Sequence, residues 1–186
     1  MSAVEKRKPL GGKSYGHIPH FPGSRMGPGD HKCSEDQLRI ATEKELDRHD
    51  RIIVQEKLDG SNVGVAKIEG VIIPLTRAGY VADTSPFEQH WRFGEWAYAN
   101  QGRFLELLAE GERVCGEWLL QAHGTRYELK HEPFVVFDIM RGDKRAICEE
   151  VQDRVIPLGF IMPYKIHEGG PLSIVEAMAE LVRRRT

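Results

Sequence analysis

Three short apolar runs, Ile52-Ile53-Val54, Val63-Gly64-Val65-Ala66 and Val71-Ile72-Ile73, are cut apart by Gly60 and by the pair Glu69-Gly70. Runs this short and this rich in β-branched residues fit strands, because a helix needs about ten residues to show its period. Glu69-Gly70 reads as a two-residue hairpin turn, since glycine accepts the left-handed backbone such turns demand. The spacing therefore predicts strands at 51–56, 62–68 and 71–76. Further strands are expected at 113–120, 134–139 and 155–161, and helices at 35–49, 103–110 and 144–153. Ser85-Pro86-Phe87-Glu88 reads as a helix start, with Ser85 as N-cap and Glu88 completing a capping box. Ser173-Ile174-Val175-Glu176 opens a last helix in the same way, with an apolar face of Ile174, Val175, Met178, Leu181 and Val182. Short strands and hairpins mixed with helices give an α+β fold built on antiparallel sheet.

Two aromatic sets lie along the helix after Ser85. Phe87, Trp91 and Tyr98 share one face, which is assigned to the core; Phe93 and Trp96 fall elsewhere, where they are available to stack on bases. Residues 1–35 are rich in Gly, Pro and His and read as an ordered loop wrapped on the domain, with Tyr15, Ile18 and Phe21 as anchors. His17, His20 and His31 match no metal-site spacing and are assigned to the loop itself.

The chain has 186 residues, 40% apolar and 29% charged, with a formal net charge of −2. That is ordinary for a globular protein and excludes global basicity as a means of holding nucleic acid. Cys33, Cys115 and Cys148 are far apart and odd in number, which argues for a reducing compartment and against a disulfide frame. The N-terminus has no signal-like apolar stretch and no run is long enough to span a membrane, so a cytoplasmic location is expected.

The chemistry centres on Gln55-Glu56-Lys57-Leu58-Asp59-Gly60-Ser61-Asn62. It sets a lysine at the end of an apolar strand, followed by a carboxylate and a tight turn. Arg77, Glu117 and Asp138 are likewise polar residues in or next to apolar strands, where a charge is costly unless it has a partner or a task. Two readings are open from the spacing: buried ion pairs, or an adenylyl-transfer site. In the second, burial lowers the Lys57 pKa and its neutral amine attacks the α-phosphate of a nucleotide. Arg77 holds a phosphate, Glu117 accepts hydrogen bonds from ribose hydroxyls, and Phe137 stacks on adenine. The phosphoryl charge that develops implies Mg²⁺.

Lys57-Leu58-Asp59-Gly60 resembles the KxDG nucleophile motif of the covalent nucleotidyltransferases. Thr76-Arg77-Ala78-Gly79, Gly116-Glu117-Trp118 and Val136-Phe137-Asp138-Ile139-Met140 follow in that superfamily's order. The loop from Tyr15 to Arg25, together with Asn62, is most similar to the type-2 branch of ATP-dependent RNA ligases. The resemblance implies an adenylyltransferase fold, ATP and Mg²⁺, and RNA with 5′-phosphate and 3′-hydroxyl ends as partner. It implies three steps: Lys57 takes AMP from ATP, AMP passes to the 5′-phosphate, and the 3′-hydroxyl displaces AMP. It also implies roles. Lys57 is the nucleophile, Glu56 contacts adenine, Asp59 orients the lysine or a metal-bound water, and Asn62 acts at the nick. Arg77 contacts a phosphate, Glu117 the ribose and Phe137 the adenine, while Asp138 supports that pocket. DNA ligases and capping guanylyltransferases share the motif order and remain alternatives, as does an inactive nucleotide- or RNA-binding remnant.

The family carries two further motifs, a glutamate-glycine strand and a paired-lysine motif. Glu168-Gly169-Gly170 has the letters of the first, but Pro171 follows, and the stretch reads as a loop. Lys165 stands alone. The expectation is one incomplete adenylyltransferase domain over 1–186, its nucleotide-binding core at 51–140 and helices with one strand at 141–186. Such a chain is expected to seal RNA weakly or not at all by itself, since each lost phosphate-binding donor removes roughly 3–4 kcal/mol of transition-state stabilisation.

Overall fold

The structure is a computed structural model that describes residues 7–120 and 128–185. They form two compact units. The first comprises residues up to Gly16 together with Leu58–Met162, and the second His17–Lys57 with the chain from Pro163 onward. The fold is α+β, with helices beside two antiparallel sheets. Among the described residues, no helix is long and apolar enough to cross a membrane.

In the first unit, strands β2 (Ser61–Ile68), β3 (Val71–Thr76), β4 (Glu112–Trp118), β5 (Phe134–Arg141) and β6 (Lys144–Arg145) form one sheet in the order β3-β2-β4-β5-β6. Strands β1 (Ile52–Gln55) and β7 (Lys165–Gly169) belong to the second unit. The expected hairpin joins β2 to β3, with φ of 53° at Glu69 and 75° at Gly70. Both turn amides donate to the Glu110 carboxylate, at 2.6 and 3.0 Å.

Helices α2 (Glu88–Ala99), α3 (Gln101–Leu107) and α4 (Cys148–Val155) cover one sheet face. The core there is largely aromatic. Phe93, Phe104, Trp118, Phe134 and Phe160 are fully buried, and Trp96 packs on them. This inverts the expected faces of α2: Phe93 is inside, while Phe87, Trp91 and Tyr98 are 57%, 49% and 42% exposed. The aromatic count on each side misled, because the buried side is the one whose rings, Phe93 and Trp96, pack on Trp118 and Phe134 of the sheet. The helix also starts later than expected. Phe87 is the N-cap and has no side-chain acceptor to cap with, while the Ser85 hydroxyl meets His90 Nδ1 at 2.6 Å and accepts from the Phe87 amide at 3.3 Å.

The strand expected at 155–161 is instead the end of α4 and a single 3₁₀ turn over Ile156–Leu158. Val151 and Val155, four residues apart, are both buried, so helical period extends through Val155. Only Ile161 bridges the sheet, beside Val135. Arg154 of α4 meets Glu112, with its Nη2 at 2.5 Å from Oε2, and Arg141 lies at 3.8 Å from Oε1. The Arg154 hydrogen bond holds the Glu112 carboxyl below the ordinary glutamate range, with help from the Ala109 amide and against a burial penalty. A depressed carboxyl pKa contributes stability that is present above the unfolded value, about 4.3, and is lost as pH falls through the folded value. A Glu112→Gln variant is therefore less stable than the parent at neutral pH, and the gap closes on acidification. Urea melts across the carboxylate range check this; a gap independent of pH refutes it.

In the second unit, helix α1 (Glu35–Thr42) begins at a capping box the sequence reading passed over. Ser34 Oγ accepts from the Gln37 amide at 3.2 Å and Gln37 Oε1 accepts from the Ser34 amide at 2.9 Å. It stops well short of residue 49, where Asp47 and Asp50 take backbone amides in a local turn that competes with helix. Strand β1 (Ile52–Gln55) pairs antiparallel with β7 (Lys165–Gly169). Glu168 and Gly169 thus end a strand, where a loop was expected. The Gly-Gly-Pro turn signal acts only from Gly170 on, because β1 supplies a ladder partner up to Gly169. Glu168 pairs with Arg51 at 2.8 Å and with Lys165. Helix α5 (Ile174–Arg185) opens with the expected Ser173–Glu176 box, although Ile174, Val175, Met178 and Val182 of its apolar face are exposed. Of the expected loop anchors, Tyr15 in the first unit is 3% exposed, while Ile18 and Phe21 in the second are 54% and 39% exposed.

Candidate functional site

Side chains alternate across a sheet, so β2 sends Val63 and Val65 to the aromatic core and Asn62, Gly64 and Ala66 to the opposite face. Their cross-strand partners on β4 are Glu117, Cys115 and Arg113. Residues 10–15 lie against this second face. Leu10 packs with Ala66, Ile73 and Leu75, and the Ser14 carbonyl accepts from Arg113 Nε at 2.6 Å. Tyr15 joins Cys115, Met140 and Phe137.

The register of β5 against β4 slips by one residue. Cys115 faces Asp138 and Gly116 faces Val136, leaving Phe137 as the extra residue of a bulge. Strict alternation would send Phe137 and Asp138 to opposite faces. The bulge brings both beside Tyr15: the phenol donates to Asp138 Oδ2 at 2.5 Å, and the Tyr15 and Phe137 ring centroids are 5.1 Å apart.

Gly60 and Glu117 are joined directly, the amide donating to Oε1 at 2.8 Å. The close approach that this requires is available to glycine alone, since a Cβ on Gly60 would collide with the Trp118 carbonyl oxygen. Gly60→Ala consequently costs stability by at least about 1–3 kcal/mol, the range of a displaced buried backbone contact, and loosens Glu117. Thermal unfolding and nucleotide affinity measured on this variant check both parts; an alanine that is neutral in both overturns the account.

Arg77 follows β3. Its amide donates to the Asn62 carbonyl at 3.1 Å, its own carbonyl accepts from Ser14 and Tyr15, and its guanidinium reaches the Gly16 carbonyl at 3.2 Å. The side chain of Arg77 is exposed, as is that of Asp59. The Asn62 amide oxygen is buried with no hydrogen-bond partner, an acceptor awaiting a donor. The first unit therefore brings Asn62, Glu117, Phe137 and Asp138 to one sheet face, with Asp59 and Arg77 on the turns that lead into and away from it. Glu56 and Lys57 close the β1 segment of the second unit. The Glu56 amide donates to the Tyr164 carbonyl at 2.9 Å. Lys57 is exposed, so the burial expected to lower its pKa is not found.

Electrostatically the face is built around Asp138. Burial pushes its carboxyl up from the ordinary range, opposed by the Tyr15 phenol and by Arg145 and Arg113. Burial and donation to Asp138 push the Tyr15 phenol up. The Cys115 thiol, pushed up to about 12 mainly by burial, stays protonated and is no nucleophile. Sequence reasoning missed Arg113, Arg145 and the part Tyr15 plays here. The bulge that aligns them leaves no mark in the apolar run 134–139.

The model of the RNA ligase family matches residues 50–180. No curated protein matches the chain. Among solved structures, an apo form of a Naegleria gruberi RNA ligase is 19% identical, with a TM-score of 0.56 over 80% of this chain and 43% of that one. A Naegleria gruberi RNA ligase with ATP and Mn is 20% identical, with a TM-score of 0.54 over 72% of this chain and 39% of that one. An archaeal ATP-dependent RNA ligase is 19% identical, with a TM-score of 0.50 over 81% and 38%. The chain thus spans about two fifths of the length of the structures it matches.

Proposed function

The chain belongs to the RNA ligase family, and from that premise we propose that it carries the adenylyl-transfer half of an ATP-dependent RNA ligase reaction. We assign the nucleotide-binding core to residues 51–140. The Lys57 amine, once its ammonium proton has passed to solvent, attacks the α-phosphorus of ATP. A P–N bond forms, the bond to the β-phosphate bridge breaks, and pyrophosphate leaves while the amine proton passes to solvent. In the complete reaction AMP then moves to an RNA 5′-phosphate, and a 3′-hydroxyl displaces it as the strand is sealed.

The observation that carries the reading is the bond between the Gly60 amide and Glu117 Oε1. It ties the turn directly after the lysine to the strand whose carboxylate is assigned to the ribose. A carboxylate has lone pairs for more than one donor, so Glu117 can hold this amide and accept from a ribose hydroxyl. The unpartnered Asn62 oxygen and the half-buried Phe137 ring on the same face fit a ligand with donors and a flat base. Phe137 stacks on adenine, Glu56 contacts it, Arg77 pairs with phosphate, Asn62 serves the nick, and Asp138 supports the pocket.

For the metal, no cluster of three or more His, Cys, Asp or Glu stands ready among the described residues. Mg²⁺ is usually held by one or two carboxylates together with substrate phosphates, which suits the single exposed Asp59 following the lysine. When bound it neutralises charge developing on the transferred phosphate. The test is the intact mass of the chain after incubation with ATP and Mg²⁺, with peptide mapping of any adduct. An AMP adduct on Lys57 is expected. A chain that takes no adduct and binds no ATP refutes the reading.

A further inference from the structure

Tyr15 makes more contacts with the candidate nucleotide residues than packing requires. Its phenol is bonded to Asp138 at 2.5 Å. Its ring meets Phe137 at 5.1 Å with the planes 70° apart. The Arg145 guanidinium lies over the same ring at 4.8 Å, and Arg145 Nε is 3.7 Å from the same Asp138 oxygen. Its backbone amide donates to the Arg77 carbonyl at 3.3 Å. One side chain thus touches the residue assigned to adenine and the carboxylate beside it, while its backbone holds the residue assigned to phosphate. A phenylalanine would fill the volume as well. The hydroxyl needs another explanation, since a buried O–H costs free energy unless bonded.

We propose that Tyr15 is a positioning residue of the nucleotide site: its ring sets the plane of Phe137, and its hydroxyl sets the orientation of Asp138 against Arg145. The inference rests on the adenylyl-transfer reading and extends the site to the segment before Gly16. Phe137 remains half-buried, so a base stacked on it lies in the layer whose tilt Tyr15 fixes. Asp138 is faced by Tyr15, Arg145 and Arg113 and by the protonated Cys115, and Glu117 is the other carboxylate on this sheet face. Removing the phenol takes away a group that holds the Asp138 carboxyl down, so its titration moves to higher pH.

The test compares the parent chain with Tyr15→Phe, Tyr15→Leu and Asp138→Asn. ATP binding is followed by calorimetry across the carboxylate range, beside adduct formation at saturating ATP. Tyr15→Phe is expected to weaken ATP binding about tenfold, the scale of one hydrogen bond to a charged group. It is also expected to move the acid limb of the binding profile upward, with little change in the adduct rate once ATP saturates. Tyr15→Leu weakens binding further, because Phe137 is released too. Asp138→Asn keeps an acceptor for the phenol and so keeps the fold, and its profile loses the part of the limb that Asp138 contributes, leaving that of Glu117. A purely structural Tyr15 would lower the melting temperature and leave the limb in place. If the parent binds ATP and Tyr15→Phe matches it in affinity and limb, the proposal is overturned alone. So too if Asp138→Asn leaves the limb unchanged from the parent. A parent chain that neither binds ATP nor takes the adduct overturns the adenylyl-transfer reading, and this proposal falls with it.

Discussion

Lys57→Ala abolishes the covalent AMP adduct while leaving the folded state almost untouched. The lysine is exposed and lies beyond the end of β1, and substitutions at such positions usually change stability by within about 0.5 kcal/mol. The chemical effect is all or none, because alanine has no nucleophile and no neighbouring amine replaces it in the Glu56-Lys57-Leu58-Asp59 stretch. ATP binding is expected to survive, since the groups assigned to ribose, adenine and phosphate are other residues. Intact mass, calorimetry and a thermal melt on the same preparation separate the three effects. An adduct that persists in Lys57→Ala removes Lys57 as the nucleophile. A melt that collapses gives the lysine a structural part that its exposure does not suggest.

Phe93→Ala has the largest expected cost to stability, about 3–5 kcal/mol, as for other buried aromatic truncations. Phe93 is fully buried, and its ring centroid lies 5.5 Å from that of Trp118 and 5.4 Å from that of Phe134. Removing it opens a cavity between α2 and the sheet that those rings cannot close without leaving their own partners. Phe87→Ala, on the exposed side of the same helix, is expected to cost less than about 1 kcal/mol. The three tryptophans of the chain, Trp91, Trp96 and Trp118, all lie in this unit, so urea unfolding followed by tryptophan fluorescence reports on it directly. Equal losses in the two variants, or a larger loss in Phe87→Ala, would return the core to the face first assigned to it.

The strands of the central sheet were legible because their signals are local. Val-rich runs cut by Glu69-Gly70 define β2, β3 and their turn with no help from distant residues. The Ser173–Glu176 box was legible for the same reason. The errors lie where a distant partner decides. Which side of α2 is buried depends on the space left by Trp118 and Phe134, and helical period alone reports two aromatic sides. Glu168-Gly169 becomes strand because β1 offers a ladder, against a local turn signal. Of the candidate site, the sequence order pointed to Lys57, Arg77, Glu117 and Asp138 as polar residues that needed explaining. What it could not carry is the bulge at Phe137, since an inserted residue in an apolar run looks like one more apolar residue. Nor could it show Tyr15 as the donor to Asp138, for the two are 123 positions apart.

That separation bears on timing. A chain made at roughly 5–20 residues per second exposes Tyr15 several seconds, on the order of 6–25 s, before Asp138 exists for it to bind. Ser14 waits less long for Arg77, the nearer of the partners met by this segment. The hairpin of β2 and β3 can form from neighbours alone, whereas the Tyr15 side of the sheet is completed only when β5 arrives. The earliest residues of the described chain are thus among the last to find their places, and the face they cover stands open throughout that interval.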